Sequence, residues 1–542
     1  MATARRASSK PLPGVRRVHN VTSVPPPVGG LNFAAPINGM EPQDAILLDN
    51  WICTRYGLSI RNGWAEHAIG FSDSVKSLMP WVGAAAAQDA LFAATDNGIY
   101  DVTSTTDTPD AALIALSTNE NAGVFHSINF QAGGANYLIA CSEADGFHRY
   151  DPINGWVKVV SGVDPGEMSV VDPANLVHAC AWKRRLWFVE RDSSSIWYLP
   201  VLAVAGVAVE LDVGPQLTLG GHVVAVVNWT MDAGEGIDDH LVILGSEGDV
   251  IIYKGTDPSD ASKFSIVGRW VVGALPQGRR SVSQYGGDVL VVSRYGLAPI
   301  SSLVRGGKTA TEADPRSFVS RIQEVLRTDV QNLTGAGWEV TQFDSAALLL
   351  INTPVSANGD IKQYVLDTHS LRWSTFSNIP AVTFTEYKGK LYFGTADGRV
   401  CQALVGELDE VKLATGSAEA SFIQCSLQTA FNYFNSPGRL KHWLMVRPTF
   451  VAPSKPGVTV RMNSEFSTLL PSRVPVFSFD AESEWDTAVW GISKWMGESL
   501  SYKSWLGVEG IGFAGSLSMI VVGVGGSRLS SIDYMVEPGG PI

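Results

Sequence analysis

Two short stretches of this 542-residue chain hold residue types that could do chemistry. Asp232, Glu235, Asp238, Asp239 and His240 gather oxygen and nitrogen donors that suit a hard cation, but their spacing is not that of an EF-hand loop. A solvated loop is the plainer reading. Gly510-Ile511-Gly512-Phe513-Ala514-Gly515 satisfies G-x-G-x-x-G, which cradles a pyrophosphate only where a strand precedes it and a helix follows; Ser516 onward reads as strand. The histidines are dispersed, with no H-E-x-x-H, and no G-x-S-x-G elbow occurs. A glycosidase needs two carboxylates facing one cleft, which spacing cannot pick out among 53 acids. Sialidase-type Ser-x-Asp-x-Gly-x-Thr-Trp boxes are absent, because Asp96-Asn97-Gly98, Asp145-Gly146 and Asp397-Gly398 lack the Thr-Trp that should follow. Turn geometry accounts for these Asp-Gly pairs. The expectation is a protein that is not an enzyme, with no catalytic residue, metal or cofactor. Cys53, Cys141, Cys180, Cys401 and Cys425 are odd in number, widely spread and set in apolar strands, so buried free thiols are expected rather than a disulfide framework.

The elements that must position any site follow a repeat. An apolar strand, a polar turn on Gly or Ser, and a second strand bearing an aromatic recur seven times, most clearly from Leu91 to Tyr100 and from Leu391 to Val400. The turn residues Gly98, Gly146, Ser195, Gly248, Gly296, Gly359 and Gly398 are spaced 39 to 63 positions apart. One four-stranded sheet per unit of that length predicts a β-propeller of six or seven blades. The fold class expected is all-β: a propeller over residues 77–404, with one inserted helix and a C-terminal β-sandwich over residues 421–542. Residues 1–29 read as an extended basic arm, 30–76 as a leader with a hairpin at Asn62-Gly63, and 405–420 as an acidic linker. Trp485, Trp490, Trp495 and Trp505 are expected to fill the sandwich core or to anchor it to a neighbour.

The inserted helix lies where the repeat spacing is longest. Asp314 is a candidate N-cap and Pro315 the first helical residue, with Phe318, Ile322, Val325 and Leu326 on one face up to Arg327. That face packs on the propeller rim or, in a sharper reading, Phe318, Arg321 and Ile322 meet a partner subunit.

Composition bounds the class. Apolar residues at 45% suffice for large cores, and charged residues at 17% fall below the usual ~25%, which suggests an exterior covered by neighbours. The longest apolar candidate, residues 199–213, is broken by Pro200 and Glu210 and falls short of the ~20 residues that span a bilayer, so no membrane insertion is expected. The N-terminus lacks the apolar core of a secretory signal, which predicts assembly in the cytoplasm. Net charge is −13, unevenly spread: Arg5, Arg6, Lys10, Arg16 and Arg17 precede the first acid, Glu41, leaving 35 bases against 53 acids, or −18, in the rest. Such an arm is expected to dock on an acidic partner.

Three groups of residues carry a resemblance. They are Gly30-Leu31-Asn32 with Asp44-Ala45-Ile46-Leu47-Leu48-Asp49-Asn50-Trp51 and Gly57-Leu58-Ser59-Ile60-Arg61-Asn62-Gly63; Leu275-Pro276-Gln277-Gly278-Arg279-Arg280 with Gly286 to Val292; and Trp485-Asp486 with Trp490. Together the chain resembles the tail nozzle or hub proteins of short-tailed bacteriophages (podoviruses), also called packaged-DNA stabilisation proteins. The resemblance implies a virion structural protein of the tail: a propeller-based homo-oligomer, a hexamer, ringed beneath portal and adaptor, adjoining tail fibre or spike proteins. It would retain packaged double-stranded DNA and pass it non-specifically at ejection. An acidic body fits such a conduit, because each Lys or Arg neutralising a phosphate adds affinity that retards passage. On this reading the basic arm docks on adaptor or portal. The alternative is a glycan-binding or depolymerising propeller protein of a tail fibre or spike.

Overall fold

The computed structural model describes residues 20–117, 119–232, 237–260, 262–306, 318–413, 420–477 and 500–541. Its dominant feature is a ring of small antiparallel sheets. The first strands of successive sheets are Ser77–Trp81, Phe125–Ala132, Leu176–Trp182, Val223–Asp232, Val282–Tyr285, Glu339–Phe343 and Ala381–Tyr387. Each touches the next, and the last touches the first, so these seven strands line a closed central channel. Six of the blades have four strands and the fifth has three. The chain is a β-propeller.

Every turn marked by the repeat falls at the same place, between the second and third strands of a blade. Gly248 shows why glycine is needed there: its φ is +99°, and a Cβ would sit 2.2 Å from the Gly273 carbonyl oxygen. In the fifth blade the chain passes after Gly296–Pro299 directly into the helix Ile300–Gly306, which takes the place of a fourth strand. Its Ile300 and Leu303 pack with Val289, Val291 and Ala298 in the core shared with the fourth blade. Comparable apolar clusters fill the other clefts between blades, as with Phe147, Leu186 and Phe188 between the second and third. All five cysteines are buried free thiols.

The outermost strand of the last blade is Trp64–Ile69, paired antiparallel with Arg399–Ala403. The ring is thus closed by the chain's early part, and the propeller begins at Trp64 rather than at residue 77. Asn62-Gly63 does not turn a hairpin. The leader's hairpin is earlier, Trp51–Thr54 with Gly57–Ile60, and Gly63 is needed for another reason: a Cβ there would lie 1.7 Å from the Leu408 carbonyl oxygen.

The C-terminal residues do not stand apart. The sixth blade continues through Asp44–Asp49 into Ile423–Thr429, Gly515–Gly523 and Gly457–Ser464, making one nine-stranded sheet. A second sheet is built on the long pair Arg439–Ala452 and Arg528–Pro541, and it recruits the leader hairpin and the strand Asn20–Val24. One apolar core joins the two layers, with Leu427, Met519 and Val521 from the first and Trp443, Phe450, Ile532 and Tyr534 from the second. The described strands of leader and tail share one core, so those of residues 421–542 do not make a sandwich of their own.

The described helix is Ser320–Asn332, which runs on past Arg327; the expected start at Asp314 and Pro315 lies outside the described residues. Ile322 and Leu326 are fully buried in that same core, where Phe318 packs half-buried. Arg321 donates to the Gly29 carbonyl and to the Asp44 carboxylate, both at 2.9 Å. The partner-facing reading of Phe318, Arg321 and Ile322 is therefore corrected: the apolar side chains face the core, and the guanidinium fastens the leader. No helix among the described residues is long and apolar enough to cross a membrane.

Candidate functional site

Two places collect polar side chains of the kind that act on ligands: the mouth of the propeller channel, and a cleft where the leader crosses the sixth blade.

At the mouth, the linker between the fourth and fifth blades brings in Arg279 and Arg280. Arg279 donates Nε to Glu143 at 2.6 Å and an Nη to the carbonyl of Val224 at 2.5 Å. Arg280 donates to the Lys76 carbonyl at 3.0 Å, the Thr383 hydroxyl at 3.0 Å and the Phe125 carbonyl at 2.9 Å, and also to the Ser77 hydroxyl. Glu339 lies 3.8 Å from Arg280, and burial raises its pKa against the pull of that guanidinium. The partners stand at or beside the starts of channel-lining strands, so two side chains bolt the first, second, fourth, sixth and seventh blades together. Planar forked donors suit this, since lone carbonyls converging on a channel need several N–H groups at fixed angles.

Just inside, His126 and His178 stack with ring centroids 3.7 Å apart. Enclosure by protein, then Arg280 and Arg279, push His126 down to about 3. Burial, with His126 and Arg279, holds His178 well below the usual imidazole range. Bases that weak draw few protons at neutral pH. A cation is disfavoured beside two guanidiniums. The stacked pair is a neutral packing element.

The cleft has a volume of about 710 Å³ and is lined by Asp49, Asp360, Lys362, Ser377, Glu410 and Phe422 among others. Its floor is a buried polar network. Asn50, held in the left-handed region at φ 61°, accepts from Arg61 Nε at 2.8 Å and the Ser377 N–H at 3.0 Å. It donates to the Ser377 hydroxyl at 3.0 Å and the Gln424 carbonyl at 2.8 Å. Arg61 is completely buried and grips both oxygens of Asp409 at 2.7 Å. Asp49 accepts from Ser377 at 2.6 Å and Thr375 at 2.9 Å. Burial raises the Asp49 carboxyl, and the two hydroxyls only partly offset this.

The cleft therefore offers one acid inclined to keep its proton, while Asp409 is locked by Arg61. Asp360 and Glu410 are exposed at the rim. Paired catalytic carboxylates need one group free to attack or to activate water, and Asp409 lacks that freedom. A hydroxyl-rich ligand could be held by Asp49, Lys362 and Phe422.

The residues behind the resemblance fall on these fastenings. Asp44, Asn50 and Arg61 tie the leader down and Arg279 with Arg280 bolt the channel, while Trp485, Asp486 and Trp490 lie outside the described residues. So do Arg5, Arg6, Lys10, Arg16 and Arg17. Asp239 of the acidic loop accepts from Thr230 at 2.9 Å and lies 3.4 Å from Lys183, and His240 packs against Trp229. No group of three metal-ligating side chains occurs among the described residues. Gly515 of the G-x-G-x-x-G stretch opens a strand, not a helix. Sequence reasoning missed the Arg61–Asp409 pair, whose one signal was an arginine closing an apolar strand.

No protein-family model matches the chain, and no curated protein does. Among solved structures, it is similar to the extracellular domain of a hybrid two-component system from B. thetaiotaomicron, at 13% identity over 75% of this chain and 55% of that one, with a TM-score of 0.38. The chain thus spans little more than half of that protein's resolved length. It is also similar to a quinoprotein alcohol dehydrogenase-like protein from Bacteroides thetaiotaomicron, at 11% identity over 62% of this chain and 70% of that one, TM-score 0.32. Raptor from Chaetomium thermophilum matches at 12% identity over 68% and 30%, TM-score 0.33. Likeness this distant carries no argument about activity.

Proposed function

We propose that this chain is a structural protein of a short-tailed phage virion, whose copies ring below portal and adaptor to retain packaged DNA and conduct it at ejection. The observation that carries the reading is the bolted channel. Arg279 and Arg280 bind blades that are far apart in sequence, which favours a rigid building block over a propeller that admits a substrate down its axis. DNA passes between copies, not through the blades. A body of charge −18 outside the arm repels the polyanion and limits the counterion-release affinity that would hold it. The arm supplies the docking charge toward adaptor or portal. Since Asn20–Val24 is paired with Ile532 to Val536, a deletion that spares the sheet stops at residue 19. Removing residues 1–19 is expected to leave a folded subunit that fails to join tails; normal incorporation would refute the reading.

The cleft favours a second reading, a glycan-binding or depolymerising protein of a tail fibre or spike, because Asp49, Lys362 and Phe422 offer polar and stacking contacts in about 710 Å³. Glycan-array binding that is lost on Asp49→Asn would establish it over the first.

A further inference from the structure

The outer edges of the second and third blades expose an aliphatic patch. Val160, Val163, Val170, Val207 and Val209 are 51%, 90%, 69%, 60% and 41% exposed. The segments that carry them are joined by backbone bonds: Met168 N donates to Val160 O, Gly162 N to Met168 O, Gly206 N to Glu167 O and Ala208 N to Ser169 O, at 2.8–3.2 Å. Val170 has φ +80°, a backbone that a β-branched residue adopts only under strain and that Gly or Asn would relieve. Its side chain does not serve the core, since most of it is in solvent. A strained residue whose only asset is an exposed apolar side chain marks a contact surface. Asp164, Asp172 and Glu210 are exposed around it, with Glu167 half-buried and Arg149 beside Gly166.

A complementary knob stands at the opposite end of the molecule. The leader hairpin carries Arg55 and Tyr56 at its tip, both exposed, Tyr56 at 71%. The tip is rigid: Thr54 donates its hydroxyl to the Gly57 carbonyl at 2.8 Å, and Gly57 is pressed so close to Leu529 that a Cβ would sit 2.2 Å from its carbonyl oxygen. The strand Trp51–Thr54 packs beside Arg372–Phe376 of the sixth blade. In a ring of seven, the sixth blade lies directly across from the boundary of the second and third.

We propose that Arg55 and Tyr56 of one copy insert into the acid-edged valine patch of the next, making the head-to-tail contact that closes a ring. This rests on the ring reading above and names its surfaces. Tyr and Arg are the side chains that most often anchor interfaces, and a preformed knob loses little freedom on docking. Two different patches at opposite ends make the contact heterologous, the kind that builds closed rings when its rotation closes.

The test is the mass of the purified full chain by analytical ultracentrifugation, with folding of each variant checked by circular dichroism. Tyr56→Ala and Val163→Asp are each expected to weaken assembly about tenfold or more. An equimolar mixture of the two should form a one-to-one dimer, because one intact contact remains between unlike partners; a misfolded variant could not do this. Arg55→Glu should be rescued by Glu210→Arg. Wild-type assembly unaffected by Tyr56→Ala and Val163→Asp, or a mixture that stays monomeric, overturns this contact while leaving the ring. A wild-type chain that remains monomeric overturns both.

Discussion

Arg61 shows what a single residue does here. It is wholly buried, and its five N–H groups meet Asn50, Asn62, Ser377 and both oxygens of Asp409. Arg61→Ala is expected to cost about 3–5 kcal/mol, because it strands a buried carboxylate and not merely because a bond is lost; urea unfolding would measure it. Two other carboxylates respond to pH in opposite directions. Asp49 has a raised pKa from burial, so the folded state holds its proton more tightly than the unfolded chain. That group therefore weakens the fold at neutral pH, and the penalty fades as pH falls through its folded pKa toward the unfolded value of about 3.9. Relative to wild type, Asp49→Asn is expected to be more favourable at about pH 7 than at about pH 4, read from urea unfolding at the two pH values. Asp145 is the reverse. Burial would raise it, but His148, Lys158 and Ser117 win and hold it well below the usual carboxylate range. Its contribution is present above about pH 3.9 and is lost as pH falls below that. Asp49→Asn and Asp145→Asn variants whose stability differs from wild type by the same amount at every pH would contradict both assignments.

Among elements, the strand–turn–strand units were legible because six of the seven marked turns, all but that at Ser195, carry a glycine at φ > 0 or under close approach, and they recur at a blade's length. Helix bounds were less so. The start signal Asp314-Pro315 lies outside the described residues, and the described helix Ser320–Asn332 runs past Arg327, since burial of Ile322, Leu326 and Val330 stabilises the turn beyond it. Asn62-Gly63 gave a hairpin signal that the fold spends on something else, the approach of Leu408; turn propensity reports what a backbone can do, not which neighbour demands it. Gly63→Ala should therefore lower the melting temperature by several degrees, whereas Gly133→Ala, with open space around its Cβ, should pay only for its φ of +58°. Ile322→Ala should destabilise by about 2–5 kcal/mol without a specific effect on assembly. Reduced assembly at unchanged stability would restore the partner-facing helix.

In the whole molecule, the propeller is legible from the sequence because it is a repeat, and the rest is not because it is woven. Trp64–Ile69 closes the last blade, Asp44–Asp49 bridges the sixth blade to Ile423–Thr429, and Asn20–Val24 edges a sheet built mainly from the far end of the chain. Pairings across several hundred residues leave no local pattern. The cleft over Asp49 was invisible for the same reason, since its walls come from the leader, the sixth blade and the C-terminal strands. Such interleaving predicts one cooperative transition rather than separate unfolding of propeller and outer sheets, with calorimetric and van't Hoff enthalpies in agreement. Two resolved transitions would refute that. Native mass spectrometry of the purified 58.1 kDa chain, alone and with the tail adaptor, tests the proposed ring most directly. A closed ring of identical copies that joins the adaptor is the predicted result; a monomer that ignores the adaptor and binds glycan through Asp49 would contradict it.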